Sequence, residues 1–134
     1  MKKIILLFIF SLGINLSADN EFGIICKNFT GSSLDFEGGK PNISKDGYSG
    51  TTIKFSAGSN GGLVEYSGNV SRKDVVKVLA GSEDGFYSFF KNFSDVHKIY
   101  TVYLSDPIVL SITELQTQLY NGNPQVRTFM GSCN

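Results

Sequence analysis

The sequence predicts a mainly β fold: a small antiparallel β-barrel or sandwich, with at most one short helix, whose first and last strands are tied by a disulfide. Three observations predict it. Apolar and polar residues alternate with period two in several short runs, the pattern of strands with one buried face. Glycine, asparagine and proline punctuate those runs at short intervals. Two cysteines, Cys26 and Cys133, bracket nearly all of the chain that follows an apolar leader.

The most regular stretch runs from Lys98 to Cys133. In Lys98–Ser105, Tyr100, Val102 and Leu104 fall on one face and Ile99, Thr101 and Tyr103 on the other. These β-branched and aromatic residues suit a pleated, half-buried surface. Asp106-Pro107 interrupts the run, because proline has no amide donor and restricts the residue before it. The alternation resumes with Ile108, Leu110 and Ile112 opposite Val109, Ser111 and Thr113. Tyr120-Asn121-Gly122-Asn123-Pro124 is a dense turn signal. Beyond it, Val126, Thr128 and Met130 alternate with Gln125, Arg127 and Phe129, which makes a three-strand meander ending at Cys133.

Cys26 lies on the first apolar run, Phe22 to Cys26, and is the single intramolecular partner open to Cys133. The 106 residues from 27 to 132 lie between them. Closing a loop of that length stabilises a fold by roughly 4–5 kcal/mol in the chain-entropy description. The expected bridge pins the first strand to the last.

At the amino terminus, Met1-Lys2-Lys3 is a short basic segment and Ile4 to Phe10 is continuously apolar. Leu16-Ser17-Ala18 supplies a small residue before a cut, so residues 1–18 are expected to be a secretory signal peptide and 19–134 a single β-rich domain. The apolar core is too short to span a bilayer stably, so no transmembrane span is expected after cleavage. No cysteine follows it directly, which argues against lipidation. Export places the thiols in an oxidising compartment and favours the bridge. The lysine-pair leader and the Asn/Ser/Lys-rich composition point to a bacterial periplasmic or extracellular protein. In that setting the Asn-x-Ser/Thr sequences at Asn28, Asn42, Asn69 and Asn92 are incidental.

Loss of the leader leaves ten basic against twelve acidic residues, a formal charge of −2. With no basic run, the chain carries no electrostatic footprint for nucleic acid or anionic membrane.

In the first half, residues 21–28 read as a strand, Thr30–Ser33 as a turn, and Leu34–Glu37 as a short strand. Glycine, proline, asparagine and serine crowd residues 38–50, which suggests a loop or an irregular edge. Thr51–Ser56 places Ile53 and Phe55 inward, Gly58–Gly62 turns, and Leu63–Ser67 returns with Val64 and Tyr66 on one face, a hairpin. Residues 71–93 are ambiguous. Ser71 with Asp74 resembles a capping box, and Phe86, Phe89, Phe90 and Phe93 have helical spacing. The valines at 75, 76 and 78 lean instead toward two strands separated by residues 81–85.

Residues able to carry chemistry are few. His97, the one histidine, stands near Asp95, and an Asp-His pair can orient an imidazole for base work. No nucleophile elbow accompanies it, so no catalytic residue is assigned. The histidine and two bridged cysteines make no metal-ligand cluster, and Gly38-Gly39-Lys40-Pro41 lacks the serine or threonine of a phosphate loop. No cofactor is expected. Glu65, Glu114 and Glu83-Asp84 are the carboxylates that would matter for glycoside hydrolysis if two of them faced each other. Tyrosine gives contact area at low entropic cost, so Tyr48, Tyr87, Tyr103 and Tyr120, near turns or on a second strand face, are the candidate binding residues.

The plan of leader, small β domain and cysteines near both ends is loosely similar to the periplasmic C-type lysozyme inhibitors, small β-barrels with the motifs Ser-Gly-x-x-Tyr and Tyr-x-x-x-Thr-Lys-Gly. Here Ser49-Gly50-Thr51-Thr52-Ile53 has isoleucine in place of the tyrosine, and the second motif has no counterpart. The resemblance covers architecture and transfers no site. The expected function is that of a non-enzymatic binding or inhibitor module of the bacterial envelope, its partner a protein or another envelope component. The alternatives are an envelope assembly component and a small hydrolase.

Overall fold

The structure is a computed structural model. It describes residues 22–46, 50–58, 60–82, 85–117 and 124–134. Nine strands form one antiparallel sheet: β1 (Phe22–Glu37), β2 (Lys40–Asp46), β3 (Thr51–Gly58), β4 (Gly61–Gly68), β5 (Arg72–Ser82), β6 (Phe86–Asn92), β7 (Val96–Tyr103), β8 (Ile108–Gln116) and β9 (Gln125–Cys133). Strands β3 to β9 run as a meander, and β1 pairs with both β3 and β9. Eight strands thereby close into a barrel, and β2 lies outside the closure as an extra edge strand on β1. The leader expected at residues 1–18 falls outside the described residues.

β1 does the closing because it changes partners along its length. Phe22–Cys26 pairs with β3, and the strand beyond Cys26 pairs with β9 and then also with β2. The change occurs at a bulge between Lys27 and Thr30, where Asn28 has φ 57°. Asparagine tolerates this left-handed conformation better than other residues with a side chain, and such a bulge bends and twists the strand that carries it. The turn expected at Thr30–Ser33 is therefore absent: the chain bends at the bulge and runs on as strand. The irregular edge expected over residues 38–50 is β2, joined to β1 by Gly38 and Gly39, both at positive φ.

The described residues of 71–93 contain no helix. Asp74 and Val76 are buried while Val75 and Lys77 face out, a period of two that breaks near the irregularity between Val78 and Ala80. The helical spacing of the four phenylalanines is coincidental: Phe89 is buried in the barrel, whereas Phe86 and Phe90 are only partly buried.

Cys26 and Cys133 are directly opposed on β1 and β9, with Cα atoms 4.0 Å apart, and they form the disulfide. The next pair, Ile25 and Asn134, exchanges two backbone hydrogen bonds of 2.9 and 3.1 Å. Cys26–Cys133 is thus a non-hydrogen-bonded pair, the site in an antiparallel ladder where side chains come closest.

An eight-stranded barrel is just wide enough to be filled by its own side chains. Phe55 occupies the middle, with ring centroids of Phe22, Phe89 and Tyr100 at 6.1, 4.9 and 6.3 Å. Ile53, Val64, Val76, Val102, Leu110, Ile112 and Phe129 complete the core. Each such side chain contributes roughly 1.5–3 kcal/mol by leaving water. At Gly131 the space is taken by Phe29: a Cβ there would lie 2.5–2.7 Å from three atoms of the Phe29 ring.

Candidate functional site

The barrel interior is apolar in its middle and charged toward one end. The charged residues are in phase with the inward face of their strands. Lys98 follows the phase of Tyr100 and Val102 on β7, Glu114 that of Leu110 and Ile112 on β8, and Asp74 that of Val76 on β5. Arg127 on β9 is two residues from Phe129. Lys98, Glu114 and Arg127 are also cross-strand neighbours in one row, so opposite charges face each other directly, which stabilises a strand pair.

Glu114 is the centre of the cluster. Its Oε1 lies 2.8 Å from Lys98 Nζ and 3.4 Å from Arg72 Nη2, and its Oε2 lies 3.5 Å from Arg127 Nη1. Arg72 Nε and Lys98 Nζ also approach Asp74 Oδ2, at 3.6 and 3.9 Å. Lys98, Asp74 and Glu114 have side chains 3–7% exposed, whereas Arg72 and Arg127 are 36% and 30% exposed and face the opening. Lys98 Nζ and Glu114 Oε1, 2.8 Å apart, form a buried ion pair whose angle departs from ideal hydrogen-bond geometry. Burial holds Lys98 below the ordinary lysine value, and the pairing with Glu114 opposes that displacement.

Beneath the charges, two tyrosines anchor the cluster to the core. Asp74 Oδ2 accepts a 2.7 Å bond from the Tyr100 hydroxyl, which in turn accepts a 2.8 Å bond from Tyr66. The Arg72 guanidinium lies 4.2 Å from the centroid of the Tyr66 ring, a cation–π distance. Burial raises both tyrosines above their ordinary value.

Above the charges is an open pocket of about 430 Å³, lined by Arg72, Lys98, Glu114, Gln116 and Arg127 from the strands and by Phe93, Ser94, Asp95 and Val96 from the β6–β7 turn. That turn is braced. Phe93 N donates to Val96 O, and Thr117 at the end of β8 donates to Asp95 O from both its amide and its hydroxyl.

The residues singled out by sequence are dispersed. His97 points outward and pairs through Nδ1 with Asn92 Oδ1 at 3.0 Å, while Asp95 accepts from Ser94, so the Asp-His pair does not form. Glu65 faces out against Lys73 at 2.6 Å, which lowers its carboxyl below the usual range. Glu114 faces in, so Glu65 and Glu114 cannot flank a common bond. Tyr87 is part of the interior, its ring 6.1 Å from Phe22, whereas Tyr103 is 42% exposed on the outer wall. These two tyrosines therefore share no patch. Tyr48, Tyr120 and Glu83-Asp84 lie outside the described residues. Among the described residues no group of three histidine, cysteine or acidic side chains is arranged to hold a metal.

Sequence alone does not assemble the cluster: Asp74 falls in a capping box and Glu114 among scattered carboxylates, and Arg72, Lys98 and Arg127 receive no role. The available signal was phase: Arg72, Asp74, Lys98, Glu114 and Arg127 all continue an inward-facing series. Comparison with protein-family models, with curated proteins and with solved structures finds no match.

Proposed function

We propose that the chain is an exported, non-enzymatic binding module of the bacterial envelope, and that the charged mouth of the barrel is the face it offers its partner. One observation carries this reading. Three cations converge on the single carboxylate of Glu114 at the floor of an open pocket, and two of them are about one-third exposed. A purely structural ion cluster has no need of an opening, and burying charge is costly compared with apolar filling. A hydrolase would need a carboxylate free to exchange a proton, whereas Asp74 and Glu114, the two carboxylates that face inward together, are both engaged by Arg72 and Lys98. An assembly role through strand addition is less well supported, because the exposed edge strand β2 carries Pro41 and Lys45, residue types that discourage edge pairing.

The test is capture from the envelope and secreted fractions of the producing organism on the immobilised, oxidised protein, with an Arg72→Gln/Arg127→Gln variant alongside. A stoichiometric component held by the parent and lost by the variant supports the reading. Equal retention by both, or retention by neither, rejects it.

A further inference from the structure

We infer that two copies of this chain pair edge to edge through β2, antiparallel about a twofold axis at Ile43. The pairing does not depend on what the mouth binds.

β2 lies outside the barrel closure. Among the described residues it pairs with β1 alone, and Lys40 to Lys45 are all exposed. What its free edge offers follows from its turn. Gly38 and Gly39 form a two-residue connection with φ 58° and 77°. In a hairpin of that kind the flanking residues, here Glu37 and Lys40, bond to each other, and bonded and non-bonded pairs alternate from there. Lys40, Asn42, Ser44 and Asp46 therefore direct their main chain toward β1, opposite Glu37, Asp35, Ser33 and Gly31. Pro41, Ile43 and Lys45 direct theirs toward the free edge.

That edge is complementary to itself. Ile43 is the middle residue of the seven in β2. With Ile43 opposite its own copy, each Ile43 amide donates to the Ile43 carbonyl across the axis, and each Lys45 amide donates to a Pro41 carbonyl of the second copy. The same register sets Lys40 opposite Asp46, charges of opposite sign, and Lys45 opposite an uncharged residue. Pro41 and Lys45 discourage the addition of a strand of arbitrary sequence. In this register they face each other: the lysine amide needs the carbonyl of Pro41 and not the donor that proline lacks, and like charges are not opposed.

The outer wall extends the match beyond the main chain. Ile43 is 75% exposed, more than any other large hydrophobic side chain among the described residues. It ends a row of cross-strand neighbours, Leu34 on β1, Val126 on β9 and Leu115 on β8, each 36–41% exposed. Directly opposed residues of an antiparallel pair lie on one face and interact, so the row continues from Ile43 to Ile43 and across the second barrel. No residue lining the mouth pocket comes from β2, and the dimer presents both mouths.

A pair of seven-residue strands is a small interface, of the weak class that buries less than about 1,200 Å². The experiment is sedimentation velocity of the oxidised protein over about 10 µM to 1 mM, the span in which such an interface associates, beside an Ile43→Lys variant. That substitution sets like charges directly across the axis, which is destabilising, at a side chain too exposed to carry the fold. The expected result is a monomer–dimer equilibrium in the parent, weakened by about tenfold or more (~1.4 kcal/mol) in a variant of unchanged melting temperature. Amide exchange at low and high concentration reads the register: Ile43 and Lys45 gain protection with concentration, while Asn42 and Ser44, already bonded to β1, are protected throughout. A monomer at every concentration, a dimer indifferent to Ile43→Lys, or concentration-dependent protection elsewhere with Ile43 and Lys45 unchanged would each overturn the pairing.

Discussion

Tyr100 donates a 2.7 Å hydrogen bond to Asp74 Oδ2 across the barrel interior, where the tyrosine is fully buried and the aspartate 3% exposed. The bond joins the aromatic core to the charged mouth. Tyr100→Phe keeps the ring and deletes the donor, leaving a buried carboxylate and the Tyr66 hydroxyl each short of a partner. The expected cost is about 1–3 kcal/mol of unfolding free energy, read from chemical denaturation; a loss below a few tenths would show that the bond is not formed.

The two partners of the Glu114–Lys98 ion pair should respond unequally to substitution. Glu114→Gln leaves Arg72, Lys98 and Arg127 facing one another and should cost on the order of 3–5 kcal/mol. Lys98→Met leaves Glu114 with both arginines and removes a buried ammonium, so stability should be unchanged or higher. Thermal melts of the two variants at neutral pH check this, and equal losses would contradict the central place given to Glu114.

Alkaline pH separates the buried tyrosines from the rest. The folded values of Tyr66 and Tyr100 are raised by burial, so their contribution to stability is complete below the unfolded value of about 10 and is lost as pH rises above it. Lys98 acts in the opposite direction: its folded value lies below 10.5, so between the two values the unfolded chain binds the extra proton and stability gains with pH. Tyrosinate absorbance should therefore show two of the six tyrosines ionising only as the barrel unfolds. A titration in which all six ionise together near the ordinary value, with the fold intact, would refute the buried pair.

The disulfide couples β1 to β9 through cysteines 107 residues apart in sequence. Replacing both cysteines by serine should cost about 2–5 kcal/mol, measured by denaturant unfolding beside the oxidised parent. An unchanged midpoint would mean that the β1–β9 ladder closes the barrel unaided.

Gly131 and Phe29 make a steric prediction. Gly131→Ala forces the Phe29 ring from its place over the glycine and should cost about 1–3 kcal/mol. Gly23→Ala, where an added Cβ meets only a carbonyl oxygen at 3.9 Å, is the control and should change the melting temperature little.

Much of the barrel was legible where the period of two was clean. Ile53 and Phe55, Val64 and Tyr66, and Tyr100 and Val102 are buried on the faces their alternation assigns, and the two cysteines meet as expected. The course of β1 was not legible, because Thr30-Gly31-Ser32-Ser33 has turn composition and yet pairs continuously with β9. Neighbouring strands decide its conformation, and local propensity does not record them. The site was hidden for a related reason. Lys98 and Glu114 lie on strands whose alternation was read correctly, but a charge on an inward face makes sense only beside its partner, and the pairing of β7, β8 and β9 with one another is a property of the sheet.

The most direct measurement of the central claim, that the barrel mouth is the binding face, is amide hydrogen exchange of the oxidised protein with and without its captured envelope component. The predicted footprint is new protection at Phe93–Lys98, Glu114–Gln116 and Arg127. Protection centred on β2 or on the outer wall around Lys54, Glu65 and Lys73, with the mouth unchanged, would contradict it.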